Sequence, residues 1–376
     1  MIAIIVAAAV AFALSFFGTP LYIRVLVRRR YGQFVRDDGP ASHATKRGTP
    51  TMGGVAIILA TILAYLAAHL VATLVASITG GELEWNPPTS SGLLVLLLMA
   101  GLGFVGFLDD FLKISREQSL GLRPRAKLLG QGLVATVFAV LALTLPEGGG
   151  AMHPASASIS FVRDIPWLNL AAFGTVIGVI LFAIWANFLV AAWSNGVNLT
   201  DGLDGLATGA TILFTGAYVL ISFWQWRQAC PAGTTYVNCY STGAPLDVAV
   251  ICAAIAGACT GFLWWNTSPA KIFMGDTGSL GLGGALAGIT IVSRTELLGA
   301  IIGGLFVIIS LSVIIQVTSF KATGKRVFRM APLQHHFELK GWNEVTIVVR
   351  FWIVAAILAA IGLGIFYGDA LPRLLS

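Results

Sequence analysis

The stretch MIAIIVAAAVAFALSFFGTPLYIRVLVRRR, residues 1–30, is uncharged from Ile2 to Ile23 and then delivers Arg24, Arg28, Arg29 and Arg30. An α-helix needs about 20 apolar residues to cross ~30 Å of hydrocarbon, and this run meets that length. A cleaved signal peptide carries its positive charge ahead of its apolar segment. Here the charge follows, so the run reads as an anchor whose N-terminus lies outside.

Outward from this run, nine more apolar stretches occupy about 53–76, 91–108, 128–145, 169–193, 206–226, 246–265, 279–293, 298–320 and 350–368. The eighth is short and rich in glycine, which predicts close packing against neighbours. Of the 376 residues, 57% are hydrophobic and 11% charged, whereas average soluble domains are about 25% charged. Mean hydropathy is +0.85. A water-soluble globule could not enclose so much apolar surface. That excludes a soluble enzyme, a disordered chain and a nucleic-acid-binding domain, so nucleic acid is not an expected partner. The fold class is an all-α polytopic membrane protein with about ten transmembrane helices, residues 1–376 forming one integral membrane domain.

Charge orients it. Alternating from an outside N-terminus, the inner loops at about 24–52, 109–127, 194–205, 266–278 and 321–349 (with Arg350 at its edge) hold 7, 5, 0, 1 and 6 Lys/Arg, 19 of 23. The outer segments hold Arg163, Arg227, Arg294 and Arg373. Positive residues favour the inner side, so both termini are expected outside. The outer segment 147–168 alternates well enough for a small β-hairpin. Cys230 and Cys239 share an outer loop and could pair in an oxidising exterior, whereas Cys252 and Cys259 read as packing residues.

Acids reveal the chemistry. An Asp at a lipid-facing helix centre costs about 2.5–3.5 kcal/mol, and this chain keeps its acids at span ends and in loops. Asp109 and Asp110 close the third span, with Lys113 one turn beyond. Adjacent residues diverge by about 100° on a helix, so the two acids are expected to share a ligand only if the helix end opens. The alternative is an ion-paired helix end. Asn198-Leu199-Thr200-Asp201-Gly202-Leu203-Asp204-Gly205 spaces its polar residues by three and contains no local cation. A metal, or basic residues from other loops, would supply the counter-charge; the alternative is a structural Asx-turn and helix cap. The segment Asn266 to Ser279 leads into the eighth span, with Asp276 where backbone N–H groups are free. That position suits Mg²⁺-phosphate or a simple helix cap. His335 and His336 stand beside Glu338 in the last inner loop, as phosphate ligands or as surface residues. The first inner loop adds Lys46, Thr51 and Gly54. The orientation was set by Lys/Arg alone, yet it gathers all five clusters on one side. One inner-facing site for phosphate chemistry is the economical reading.

These strings resemble one family, the phospho-N-acetylmuramoyl-pentapeptide transferases, within the polyprenyl-phosphate N-acetylhexosamine-1-phosphate transferases. The matching strings are Lys46–Gly54, Asp109-Asp110 with Lys113, Asn198–Gly205, Asn266–Ser279 and Met330–Trp342. The resemblance implies transfer of phospho-N-acetylmuramoyl-pentapeptide from its uridine diphosphate (UDP) carrier to undecaprenyl phosphate. The products are lipid I and uridine monophosphate, made at the inner face of the bacterial plasma membrane. It implies Mg²⁺ on Asp276 and a catalytic set of Asp109, Asp110, Lys113, Asn198, Asp201, His335 and His336, one of the paired acids acting as base or nucleophile. It implies substrate contacts by Lys46, Thr51, Gly202, Leu203, Asp204, Asn266, Phe273 and Gln334, with Phe273 stacking on uracil. It also implies a homodimer. One position departs: the family shows three consecutive histidines, and the first is Gln334 here, which cannot carry a proton. Two rivals follow. A sister enzyme moving N-acetylglucosamine-1-phosphate shares the acids but not the 331–342 string. A lipid or nucleotide-sugar transporter would place polar groups near mid-bilayer.

Overall fold

The computed structural model describes residues 1–29, 31–32, 48–78, 87–116, 121–147, 152–230 and 239–374. Lys46 and most of the first inner loop lie outside these. Twelve helices appear among the described residues: α1 (Ile2–Arg28), α2 (Gly54–Ile78), α3 (Ser90–Ser115), α4 (Pro124–Thr144), α5 (Thr175–Thr200), α6 (Leu206–Arg227), α7 (Pro245–Asn266), α8 (Gly275–Val292), α9 (Glu296–Ile302), α10 (Gly304–Thr323), α11 (Leu333–Glu338) and α12 (Glu344–Leu374). Strands β1 (Ser158–Ser160) and β2 (Asp164–Asn169) pair antiparallel between α4 and α5, the expected hairpin. Nine helices among the described residues, α1–α7, α10 and α12, are long and apolar enough to cross a membrane. The chain is a multi-pass membrane protein.

Local chemistry sets the helix ends. Pro124 and Pro245 open α4 and α7, where the missing N–H costs nothing and φ is already helical. Thr89 caps α3, its hydroxyl accepting from Gly92 N at 3.2 Å. Gly324 closes α10 in the left-handed region, φ +69°. Two spans differ from the hydropathy reading. The third continues to Ser115, so Asp109 and Asp110 lie inside its last two turns. The ninth divides into α9 and α10 at Gly303, where a Cβ would meet Trp193 Cη2 at 2.4 Å. Adjacent Gly303 and Gly304 give the helix a break point.

The eighth span is the axis of the site. Every residue of α8 from Thr277 to Val292 is buried. A Cβ on Gly283 would lie 2.4 Å from Ser194 Cα of α5, and one on Gly284 2.8 Å from Leu98 O of α3. Small residues thus let α3 and α5 approach α8 backbone to backbone. The N-terminus of α8 then shares one end of the bundle with the C-termini of α3 and α5. The hairpin and the Cys230–Cys239 disulfide sit at the opposite end, while Cys252 and Cys259 are free and buried.

Candidate active site

Asp109, Asp110 and Asp276 each offer a carboxylate oxygen within 4.8 Å of the others. The end of α3 does not open to allow this. Instead Asp276 arrives from α8 and faces both. Asp110 accepts from Asp276 N (3.2 Å), Thr277 N (2.9 Å) and Thr277 Oγ1 (2.8 Å). The free N–H groups at the start of α8 therefore serve a carboxylate. Asp109 Oδ1 accepts from Leu122 N at 2.7 Å, tying the α3–α4 connection to the cluster.

Gly106 and Gly275 permit this approach. A Cβ on Gly106 would lie 2.1 Å from Asp276 O. Gly275 has φ +73°, and a Cβ there would lie 2.6 Å from Asp110 Oδ2 and 2.9 Å from Thr51 Oγ1. Any other residue at Gly275 is excluded on both counts. Thr51 is thereby placed beside Gly275. Its loop is held by Phe273 N donating to Pro50 O (2.8 Å), Gly53 N to Phe273 O (2.9 Å) and Gly54 N to Met274 O (2.9 Å).

Two lysines answer the acids. Lys113 Nζ stands 2.6 Å from Asp109 Oδ2, 3.8 Å from Asp110 Oδ1 and 2.9 Å from Asp276 Oδ2. Lys127 Nζ, from the first turn of α4, lies 2.8 Å from the same Asp276 oxygen. Asn198 Nδ2 donates to Asp276 Oδ1 (2.7 Å) and Ser279 Oγ (2.8 Å). Sequence reasoning missed Lys127, because nothing local separates it from Arg123 and Arg125. Hard carboxylate oxygens in this number suit a divalent cation, and Lys113 shows that positive charge is accommodated among them. This acidic group could hold a metal ion.

The 198–205 string divides in two. Asn198 joins the acids, and Asp201 caps α5 one turn on. Asp204 faces the other way, its Oδ2 accepting from Ala270 N at 3.0 Å while its own N–H donates to Glu344 Oε1 at 2.9 Å. Leu203 and Asn266 are buried. The Asn266 amide accepts from Thr208 Oγ1 (2.8 Å) and donates to Ile272 O (2.9 Å), shaping the turn that carries half-buried Phe273.

The α11 segment closes on this loop. Fully buried Gln334 donates from Nε2 to Leu199 O at 2.8 Å. A Cβ on Gly202 would meet Gln334 Nε2 at 2.9 Å and His335 Nε2 at 3.0 Å. His335 Nδ1 lies 2.5 Å from Glu338 Oε2. His336 Nδ1 accepts from Arg329 N at 3.0 Å, which requires a neutral ring. Desolvation, with Lys340 and Arg329 nearby, holds His336 below the ordinary imidazole range.

Two family models match the chain. Glycosyl transferase family 4 matches residues 92–294, more than half of it. A phospho-N-acetylmuramoyl-pentapeptide-transferase signature matches residues 46–58. The chain is 63% identical over 368 residues to the phospho-N-acetylmuramoyl-pentapeptide-transferase of Kineococcus radiotolerans, covering 97% of this chain and 98% of that protein. The chain belongs to the phospho-N-acetylmuramoyl-pentapeptide-transferase family. The proteins of that name from Pseudarthrobacter chlorophenolicus and Streptomyces griseus are 60% and 58% identical, each over at least 97% of both chains. In this family member, the described part of the signature is the loop clamped to Phe273 and Met274 together with the start of α2, and the family 4 match contains all three clustered acids, both lysines and Asn198.

Proposed function

We propose that this chain transfers phospho-N-acetylmuramoyl-pentapeptide from its UDP carrier to undecaprenyl phosphate, releasing uridine monophosphate and forming lipid I for peptidoglycan synthesis. The observation that carries the proposal is the three-carboxylate, two-lysine cluster at one end of the bundle, in a chain of this family. A lipid phosphate at headgroup depth and a soluble nucleotide can meet there. The Lys/Arg distribution supports a cytoplasmic-facing site in the bacterial plasma membrane, and the disulfide at the opposite end supports an oxidising exterior there. Homodimerisation rests on the family resemblance.

In the reaction an oxygen of the lipid phosphate forms a new bond to the sugar-bearing phosphorus, and uridine monophosphate departs with the electrons of the broken P–O bond. Asp276, Asp109 and Asp110 would hold Mg²⁺. The ion supplies charge neutralisation and Lewis acidity to the diphosphate. Lys113 and Lys127, spread over carboxylates in this structure, are positioned to turn toward phosphate oxygens. Asn198 fixes the second oxygen of Asp276, and Asp201 completes that edge. Gly202, Leu203, Asp204, Asn266 and Phe273 form the uridine side, held together by the Asp204–Ala270 bond. Thr51 and Lys46 contribute from the first loop. His335, oriented by Glu338, joins His336 and Gln334 in closing over the phosphates.

The test is an assay of purified protein with Mg²⁺ and undecaprenyl phosphate, offering the UDP-muramoyl pentapeptide and UDP-N-acetylglucosamine separately. Lipid product and uridine monophosphate from the first alone are expected. Product only from the second would overturn the proposal.

A further inference from the structure

The start of α12 grips the turn that carries Asp204. Glu344, half-buried in the first turn of the helix, accepts through Oε1 from Asp204 N at 2.9 Å. Just over two turns further along α12, Trp352 Nε1 donates to Leu206 O at 3.2 Å. Between these two anchors the chain reverses at Gly205, φ +80°, a conformation that favours glycine. Asp204 passes the hold onward. Its Oδ2 accepts from Ala270 N at 3.0 Å, in the 267–272 turn that delivers Phe273. The entry to α12 also bears on the histidine segment. Trp342 N donates to Phe337 O at 3.1 Å, and the two rings lie 4.6 Å apart, next in the chain to His336.

An acid in the first turn of a helix ordinarily answers the helix dipole. Glu344 does more than that role requires, because its carboxylate takes a backbone N–H from a different part of the fold, 140 residues away. Glu344, Asp204 and Ala270 form one chain of hydrogen bonds that ends beside Phe273. We infer that Glu344 is a positioning residue for the nucleotide half of the donor. It fixes the Asp204 turn and, through Ala270, the turn bearing Phe273, so its loss weakens donor binding and spares the transfer step. This rests on the uridine side proposed above and adds the residue that holds it in place.

The test uses three variants of the full chain. Glu344→Gln keeps the Oε1 acceptor without the charge, Glu344→Asp keeps the charge one carbon short of Asp204 N, and Glu344→Ala keeps neither. The Asp and Ala variants are expected to raise KM for the UDP-muramoyl pentapeptide about tenfold, the scale of one hydrogen bond to a charged group. Their kcat and their KM for undecaprenyl phosphate should stay within about twofold of wild type, and the Gln variant should follow wild type throughout. Calorimetric titration with uridine monophosphate should rank the variants in the same order. Should the alanine variant not fold, the Asp and Gln variants decide by themselves. A wild type that uses only UDP-N-acetylglucosamine overturns the proposed function, whereas weaker uridine monophosphate binding in the Asp and Ala variants would still uphold this inference. An impaired Gln variant beside a normal Asp variant would leave only helix-end charge. A fall in kcat with both KM values moving together would leave only a structural role. Either result, or unchanged uridine monophosphate binding in the Asp and Ala variants, overturns the inference.

Discussion

Lys127 of α4 and Asp276 of α8 are joined by an ion pair of 2.8 Å, on an oxygen that also receives Lys113 at 2.9 Å. Two cations converge on one oxygen, a surplus that incoming phosphate can draw away. Lys127→Met is expected to lower turnover about 100-fold, the scale of removing one preorganised charged donor, with Lys127→Arg recovering part of it. Steady-state release of uridine monophosphate checks this. Full turnover in the methionine variant would leave the pair a purely structural tie.

Asp276→Asn keeps the shape of the side chain and removes its charge. Metal-dependent turnover should be abolished while the protein stays folded, because Asn198 and Ser279 still find partners. Loss of Mg²⁺-induced thermal stabilisation in the same variant would tie the defect to the ion. Retained activity would remove Asp276 from that role.

Gly106→Ala tests whether backbone proximity sets the site. The added methyl would fall 2.1 Å from Asp276 O, so α3 and α8 must separate. A stability loss of about 1–3 kcal/mol is expected from overpacking, with turnover falling more than tenfold as Asp110 leaves Thr277 N. Chemical denaturation and the transfer assay report the two effects separately.

Gln334→His restores the residue usual in the family. The imidazole can donate to Leu199 O as the amide does, so activity should be preserved or raised. Gln334→Ala leaves that buried carbonyl unmet, at a cost of about 1–3 kcal/mol. A severe loss in the histidine variant would show that this loop is built around glutamine.

Stability should also respond to pH at the end opposite the acids. Burial raises the Glu147 carboxyl above its usual value of 4.5, against the lowering effect of its bonds from Ser91. The folded state then holds a proton that the unfolded state has already released. The stability Glu147 contributes is present below pH 4.5 and is lost as pH rises through the raised value. Glu147→Gln should flatten the fall of melting temperature with pH above 4.5. An unchanged profile would contradict the shift.

The membrane class, the apolar runs and the gathering of acids at one end follow from residue chemistry along the chain. Hydropathy and charge distribution are local properties, and the bilayer turns them into a topology. The same logic exposed Asp109, Asp110, Asn198 and Asp276 as candidates, since acids beside apolar runs need partners. Alternation within 147–168 and two cysteines in one loop left the hairpin and the cysteine pairing open, and the tertiary structure settles both.

Tertiary structure alone decided how these groups meet. Asp109 and Asp110 share a site with their helix intact because Asp276 comes to them, which depends on Gly106, Gly275 and the small residues of α8. Asp204 looked like a third member of the Asn198 string, yet the chain turns after Asp201 and sends it to Ala270. Lys127 resembled any other loop cation until α4 packed beside α3. The break at Gly303 was hidden inside an unbroken apolar run, because hydropathy does not register a backbone pressed against Trp193. Composition dictates which solvent each segment accepts. Close packing between distant segments dictates which side chains share a site.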